Sequence, residues 1–231
     1  MIGLVELHLP ETNETLTAVV IGAVLATVGG LVATQMETFL RRRERERSAA
    51  LMFGEILAVT DLIIKMADDT RGRGDPYGPI TVRLLRAARR EADIYDRNRE
   101  QLYDLRDASL RARIHTVMIR VSLTLDGIFD SIGDIRDLEP ALKTMAADDP
   151  VRADEEARLE TLKEQRKGGF DFVVEIAEEI GPINKALGPI AGYDFSAHQT
   201  VVRAAQAAAF ANNDDSVAAA GVQATAEILK A

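Results

Sequence analysis

The chain has 231 residues with 28 Lys and Arg against 37 Asp and Glu, a formal net charge of −9 that disfavours nucleic acid as a general partner. Zero Cys excludes disulfides, thiolate metal sites and cysteine nucleophiles, and aromatics at 5% without Trp leave few platforms for stacking bases or sugars. The length suffices for one or two domains, and their packing must be mainly aliphatic.

Residues 1–14, MIGLVELHLPETNE, carry Glu6, Glu11 and Glu14 and no basic side chain. A secretory signal peptide begins with a positive region, so the order of charge here is reversed. Residues 15–36, TLTAVVIGAVLATVGGLVATQM, form a run of 22 without a charge. As a helix rising about 1.5 Å per residue, such a run matches a hydrocarbon core of roughly 30 Å and exceeds the apolar run of an ordinary soluble core helix. It is followed by RRRERER, five Arg between positions 41 and 47 against none before. That asymmetry predicts a single-pass membrane protein, N-terminus outside and C-terminal part in the cytoplasm.

Within this predicted span Ala18, Gly22, Ala26, Gly30 and Thr34 recur every four residues, the small-xxx-small spacing that lets membrane helices approach closely. Arg41, Arg42, Arg43, Arg45 and Arg47 stand where guanidinium groups reach lipid headgroups, so membrane lipid is an expected partner.

From Ala49 the apolar spacing turns helical: Ala49, Phe53, Ile56, Thr60, Ile63 and Ala67 mark one face, predicted to pack on one side. Residues 68–79, DDTRGRGDPYGP, read as a connection, because the Gly and Arg match neither common phosphate-loop pattern. A second helix is predicted from Pro79, with Leu85, Ala88, Ala92, Tyr95, Arg99 and Leu102 in phase. After a break at Arg106 and Asp107 a third carries Leu110, Ile114, Val117, Val121, Leu125, Ile128, Ile132 and Ile135. Phe53, Ile56, Ile63, Leu110, Ile114, Val117, Val121, Leu125 and Ile128 are thus the stripe expected to meet a partner helix. His115 lies beside it with no His or Cys at helical spacing, and Asp126, Asp130, Asp134 and Asp137 read as a solvated face, so no metal or cofactor is expected.

A span followed by an Arg/Glu run, then LMFGEILAV (51–59), a Gly/Pro turn and IYDRNREQLYDL (94–105) with Tyr95 and Asn98, resembles uncharacterised single-pass inner-membrane proteins of bacteria and their phages. The likeness covers about residues 15–135 and implies an architecture, not an activity. The Gly-rich turn and the long C-terminal region depart from it.

In the remainder, DLEPALKTMAADDP (137–150) suggests a short helix and a restart, with Asp149 as N-cap and Pro150 first in the next helix. That helix carries Leu159, Leu162, Phe170, Val173, Ile176 and Ile180, and Gly168 and Gly169 are expected to kink or break it. GPINKALGPIAGYDF (181–195) reads as its end, and the Ala-rich stretch to Ala231 as two short helices or a loose tail.

The sequence therefore predicts an all-α protein: an external segment (1–14), a transmembrane helix (15–36), a cytoplasmic antiparallel helical bundle or long coiled-coil-like hairpin (37–137), further helices (138–195) and an Ala-rich end (196–231). With no catalytic motif, the expected function is a membrane-anchored interaction or scaffold protein, as a homo-oligomer or with other membrane subunits. An accessory subunit of a larger membrane complex is the alternative, and a ligand-sensing or hydrolytic helical domain a third reading.

Overall fold

The computed structural model describes residues 12–72, 74–146 and 148–196, with side chains from residue 19 onward. Residues 1–11, the side chain of Ala18 and the Ala-rich end from residue 197 lie outside the described residues, and with them most of the expected external segment.

All regular structure among the described residues is helical. In chain order it comprises α1 (Thr12–Arg71), α2 (Pro79–Asn98), a 3-10 turn (Arg99–Asp104), α3 (Ala108–Thr144), α4 (Arg152–Glu178) and α5 (Ile180–Ala191). The chain divides after Arg45 into two units, so α1 contributes its first stretch to one and its second to the other.

The first unit is the early part of α1, where every side chain from residue 19 to residue 45 is exposed. Its backbone polar groups are paired inside the helix. The hydroxyls of Thr27, Thr34 and Thr38 donate to the carbonyls of Ala23, Gly30 and Thr34 at 2.8, 2.9 and 2.8 Å. These threonines thus bring little unpaired polarity into an apolar medium.

The second unit has one core, to which α1, α2, the 3-10 turn and α3 to α5 all contribute. In α1 the buried positions are Ala49, Ala50, Phe53, Gly54, Ile56, Leu57, Ala58, Thr60, Asp61, Leu62, Ile64 and Ala67, so the helix is covered on several sides where the spacing predicted one. The run LAVTDLII explains the difference: only Thr60 and Asp61 interrupt it. Thr60 Oγ1 donates to the Ile56 carbonyl at 2.8 Å, and Asp61 accepts from Lys65 Nζ at 2.8 Å, which reconciles both with burial.

Gly78 precedes α2, with Pro79 in the first turn, where a missing N–H costs nothing. Asp107 caps α3, its Oδ1 accepting from the amides of Ser109 and Leu110 at 2.8 and 3.1 Å. Between them the 3-10 turn shifts the phase, which leaves Arg99 exposed and returns Leu102 to the core.

Four expectations for the later chain are corrected. The short helix after residue 137 is the end of α3, which passes Pro140 and continues to Thr144. Pro140 removes one bond near the helix end, and buried Leu142 anchors the last turn. The boundary expected at 137 therefore falls within one helix. Asp149 does not cap α4: its carboxylate accepts from the Val151 amide at 2.9 Å in the preceding turn, and α4 begins at Arg152.

Gly168 and Gly169 do not break α4, which runs unbroken from Arg152 to Glu178. A Cβ on Gly169 would meet Ile128 Cγ1 at 3.0 Å, so this glycine lets α4 lie close to α3, and the packing offsets the helix propensity it gives up. Residues 181–195 hold most of a further helix where only the end of the preceding one was predicted. Pro182 falls in the first turn of α5, and Ile180, Ile183, Leu187 and Ala191 bury one stripe that carries the helix past Pro189. Gly192, at φ 66° and ψ 34°, closes it in the left-handed conformation.

Candidate functional site

Two neighbouring stretches of α1 carry the residues to which a function can be attached. Each is taken on its own terms.

In the stretch up to Arg45, Val19, Leu25, Leu31, Val32 and Met36 are 57–68% exposed. This is the one helix among the described residues long and apolar enough to cross a membrane, and none of its most apolar window is buried. A soluble core helix of this composition would be covered. A contiguous exposed apolar surface of this kind marks contact with lipid or with another chain. Gly22, Gly29 and Gly30 are open, a Cβ at each meeting nothing within 4 Å, so the small-residue face holding Gly22, Ala26, Gly30 and Thr34 is presented unfilled. At the end of the apolar run Glu37 pairs with Arg41 at 2.5 Å, one turn on. Arg42, Arg43 and Arg45 are exposed as well.

The second stretch begins with Glu46 and Arg47, whose side chains fasten two connections of the helical core. Glu46 Oε1 accepts the Arg106 amide and its Oε2 pairs with Arg106 Nε, both at 3.1 Å, which holds the link between the 3-10 turn and α3. Arg47 Nε donates to the Ala191 carbonyl at 3.1 Å. A cation at the C-terminal end of α5 also complements the helix dipole. Arg47 is thus engaged with the fold, unlike the other four arginines of the run expected at headgroups.

Two turns further, Gly54 receives the ring of Phe195: a Cβ built on Gly54 would lie 2.0 Å from Phe195 Cζ. Neither Gly54 nor Phe195 belongs to an apolar stripe that the spacing predicts. The only local signal was a glycine inside an apolar helical run, which by rule points to close packing.

The stripe expected to meet a partner is filled from within the chain. Phe53, Ile56, Leu110, Ile114, Val117, Val121, Leu125 and Ile128 are buried in the common core, and Ile63 packs partly buried against it. What α3 shows to solvent instead is Leu123, 67% exposed, with Ile119 one turn before it at 37%.

Polar groups around the core act as helix ties. Arg89 reaches Asp126 through Nε–Oδ1 at 2.6 Å and Nη2–Oδ2 at 3.2 Å, and also pairs with Asp93, joining α2 to α3. The Asp126 hydrogen bond leads in holding the Arg89 guanidinium above its usual range. Asp126, first of the acidic row, is therefore engaged in an ion pair. Arg120 pairs with Glu179 at 2.5 Å and stacks over Phe172, and Arg71 pairs with Asp171 at 2.5 Å and stacks over Phe170. The Tyr95 hydroxyl shares a 2.6 Å hydrogen bond with His115 Nδ1, while its buried ring meets Phe53 edge-on. Burial is the main cause pushing the Tyr95 phenol up to about 12, with Asp96 adding to it, so the hydroxyl stays protonated and suits a donor role toward His115. His115 has its partner in this tyrosine. Among the described residues no cluster of three His, Cys, Asp or Glu is placed to hold a metal ion.

No family model matches the chain, and no curated protein or solved structure matches it either.

Proposed function

We propose that the protein is a membrane-anchored helical interaction or scaffold protein. The observation that carries this reading is α1 itself. One helix holds an apolar stretch with every described side chain exposed, then continues as a buried strut of a helical core. A helix of that kind anchors a folded domain to a bilayer.

The arginines from Arg41 to Arg45 set the topology by the positive-inside rule, with the N-terminus outside and the core unit in the cytoplasm of a bacterium. Arg41, Arg42, Arg43 and Arg45 contact anionic headgroups. The core unit is an antiparallel helical bundle, the architecture also implied by the resemblance to single-pass inner-membrane proteins. Crosslinking or native electrophoresis of the detergent-extracted protein tests the reading: discrete oligomers or co-purifying subunits are expected, and a bare monomer under both conditions refutes it.

A second reading, an accessory subunit of a larger membrane complex, is favoured by the open glycine face. Gly22 and Gly30 have room for a neighbouring helix within van der Waals reach. In that case Gly22→Leu and Gly30→Leu abolish co-purification of the complex while the melting of the core unit is unchanged. Under the first reading alone, they change only self-association.

A further inference from the structure

Arg89 ties α2 to Asp126 of α3, and Tyr95 ties it to His115. The two helices therefore lie side by side, with positions that rise along α2 meeting positions that fall along α3. Both turn an apolar side to the core, through Leu85, Ala88 and Ala92 in α2 and Ile114, Val121 and Leu125 in α3. On the side away from it α2 exposes Arg83, Arg86, Arg90, Ile94 and Arg97, and α3 exposes Thr116, Ile119, Leu123, Gly127 and Asp130. The two rows share one open face.

The rows match in spacing and in chemistry. From Arg83 the α2 row advances by 3, 4, 4 and 3 residues, and from Asp130 the α3 row goes back by the same steps. The register midway between the two ties sets Arg83 level with Asp130, Arg90 with Leu123 and Ile94 with Ile119. Arg83, Arg86 and Asp130 have no hydrogen-bond or ion-pair partner among the described residues. Leu123 is 67% exposed, with Ile94 at 36% and Ile119 at 37%. A Cβ on Gly127 meets nothing within 4 Å, so the face is open at the level of Arg86.

We propose that this face binds the same face of a second copy of the chain. Half a turn about an axis parallel to the helices leaves each residue at its own height and lays α2 of one copy over α3 of the other. Three levels then pair complementary groups: Arg83 with Asp130, Ile94 with Ile119, and the aliphatic stem of Arg90 over Leu123. One surface that carries both complementary rows at matching heights is what a two-fold interface requires, whereas a foreign acidic partner would leave Asp130 without a use. The inference deepens the scaffold reading, on which it rests, by making the partner a second copy held through the core unit.

Charge reversal tests it on the full chain in detergent, with self-association followed by analytical ultracentrifugation. Arg83→Glu and Asp130→Arg each weaken association by about tenfold or more, since each sets like charges together twice per dimer. Both substitutions in one chain restore it. Neither side chain is engaged among the described residues, so the circular dichroism of the variants matches the parent. The chain has no Cys, so a short bismaleimide joins only introduced thiols. Chains with Arg83→Cys crosslink to differently tagged chains with Asp130→Cys, and not to one another. The proposal is overturned if neither reversal weakens association, if the double variant is no tighter than the single ones, or if the mixed chains do not crosslink. A parent that is a bare monomer overturns it together with the scaffold reading. Association that ignores both reversals yet is lost in Gly30→Leu overturns it alone and leaves that reading standing.

Discussion

Helix α1 is a single helix with two environments. Between residues 19 and 45 all its side chains are exposed, and between residues 49 and 67 twelve positions are buried. Both stretches are rich in aliphatic side chains and both contain glycine, alanine and threonine. Composition therefore does not decide which one makes a core. The difference lies in polar partners and in close fits. The later stretch has Asp61 with Lys65, Glu46 with Arg106 and Gly54 with Phe195, each fixing α1 against its own turn or another element of the core unit. The earlier stretch has hydroxyls turned back on their own helix and glycines facing nothing.

The largest expected effect comes from truncating one leucine in each stretch. Leu57, 1% exposed, loses core contacts on conversion to Ala, and the core unit should be destabilised by about 2–5 kcal/mol. Leu25, 65% exposed, should change that stability by less than about 0.5 kcal/mol on the same substitution. Thermal denaturation in detergent followed by circular dichroism measures both. Leu25→Arg completes the comparison: an arginine near mid-span costs about 3 kcal/mol of insertion free energy, so the protein should leave the membrane fraction while Leu57→Ala stays in it. Equal losses of stability from Leu25→Ala and Leu57→Ala would dissolve the distinction between the stretches.

The glycines sharpen it by sign. Gly54→Ala forces a methyl into the Phe195 ring and should cost about 1–3 kcal/mol. Gly22→Ala meets open space and exchanges a poor helix former for a good one, so stability should hold or rise, by at most about 1 kcal/mol. Chemical denaturation of the two variants side by side reads the difference.

How much of this was legible in the chain depends on the kind of signal. The long apolar helix near the N-terminus, the class of fold, the start of α2 at Pro79 and the break at Arg106 and Asp107 before α3 rest on local patterns of charge and apolar phase, which the residues themselves display. The close fits are not local. Gly169 reads as a helix breaker until Ile128 is placed beside it, and Gly54 reads as an ordinary helical glycine until Phe195, 141 positions later, lands on it. The stripe from Leu110 to Ile128 was visible, but a periodicity states only that a face is covered and leaves open what covers it.

Charged residues at the junction of the stretches give smaller effects of different kinds. Glu46→Ala deletes the acceptor of the Arg106 amide and side chain, and should cost about 1–2 kcal/mol of core stability. Arg43→Gln touches no partner in the core and should leave stability unchanged. It should instead weaken retention of anionic phospholipid by about 1 kcal/mol, which native mass spectrometry of the detergent-extracted protein can follow. If Arg43→Gln destabilised the core as much as Glu46→Ala, the headgroup role would be lost.

At neutral pH Tyr95→Phe has only a modest effect on the core, and its alkaline behaviour separates the stretches most cleanly. The phenol is raised in the folded core to about 12 from an ordinary value near 10, chiefly because its ring is buried. The protonated form is thus favoured in the folded state, and its contribution is fully present below the unfolded value. It is lost as pH rises from about 10 through about 12, since the unfolded chain releases the proton first. Stability should fall over that window in the parent protein and fall less steeply in Tyr95→Phe. Tyr77, also raised mainly by burial, supplies part of the remaining slope. Below pH 10 the variant should lose only the hydrogen bond to His115, about 0.5–1.5 kcal/mol. Residues 15–36 contain no ionisable side chain, so the helicity of that stretch in detergent should be flat across the same window. An alkaline transition that removed the whole helical signal at once would mean that the exposed stretch depends on the core for its helix. Loss of the core signal alone would mean that its helix is maintained by the apolar medium.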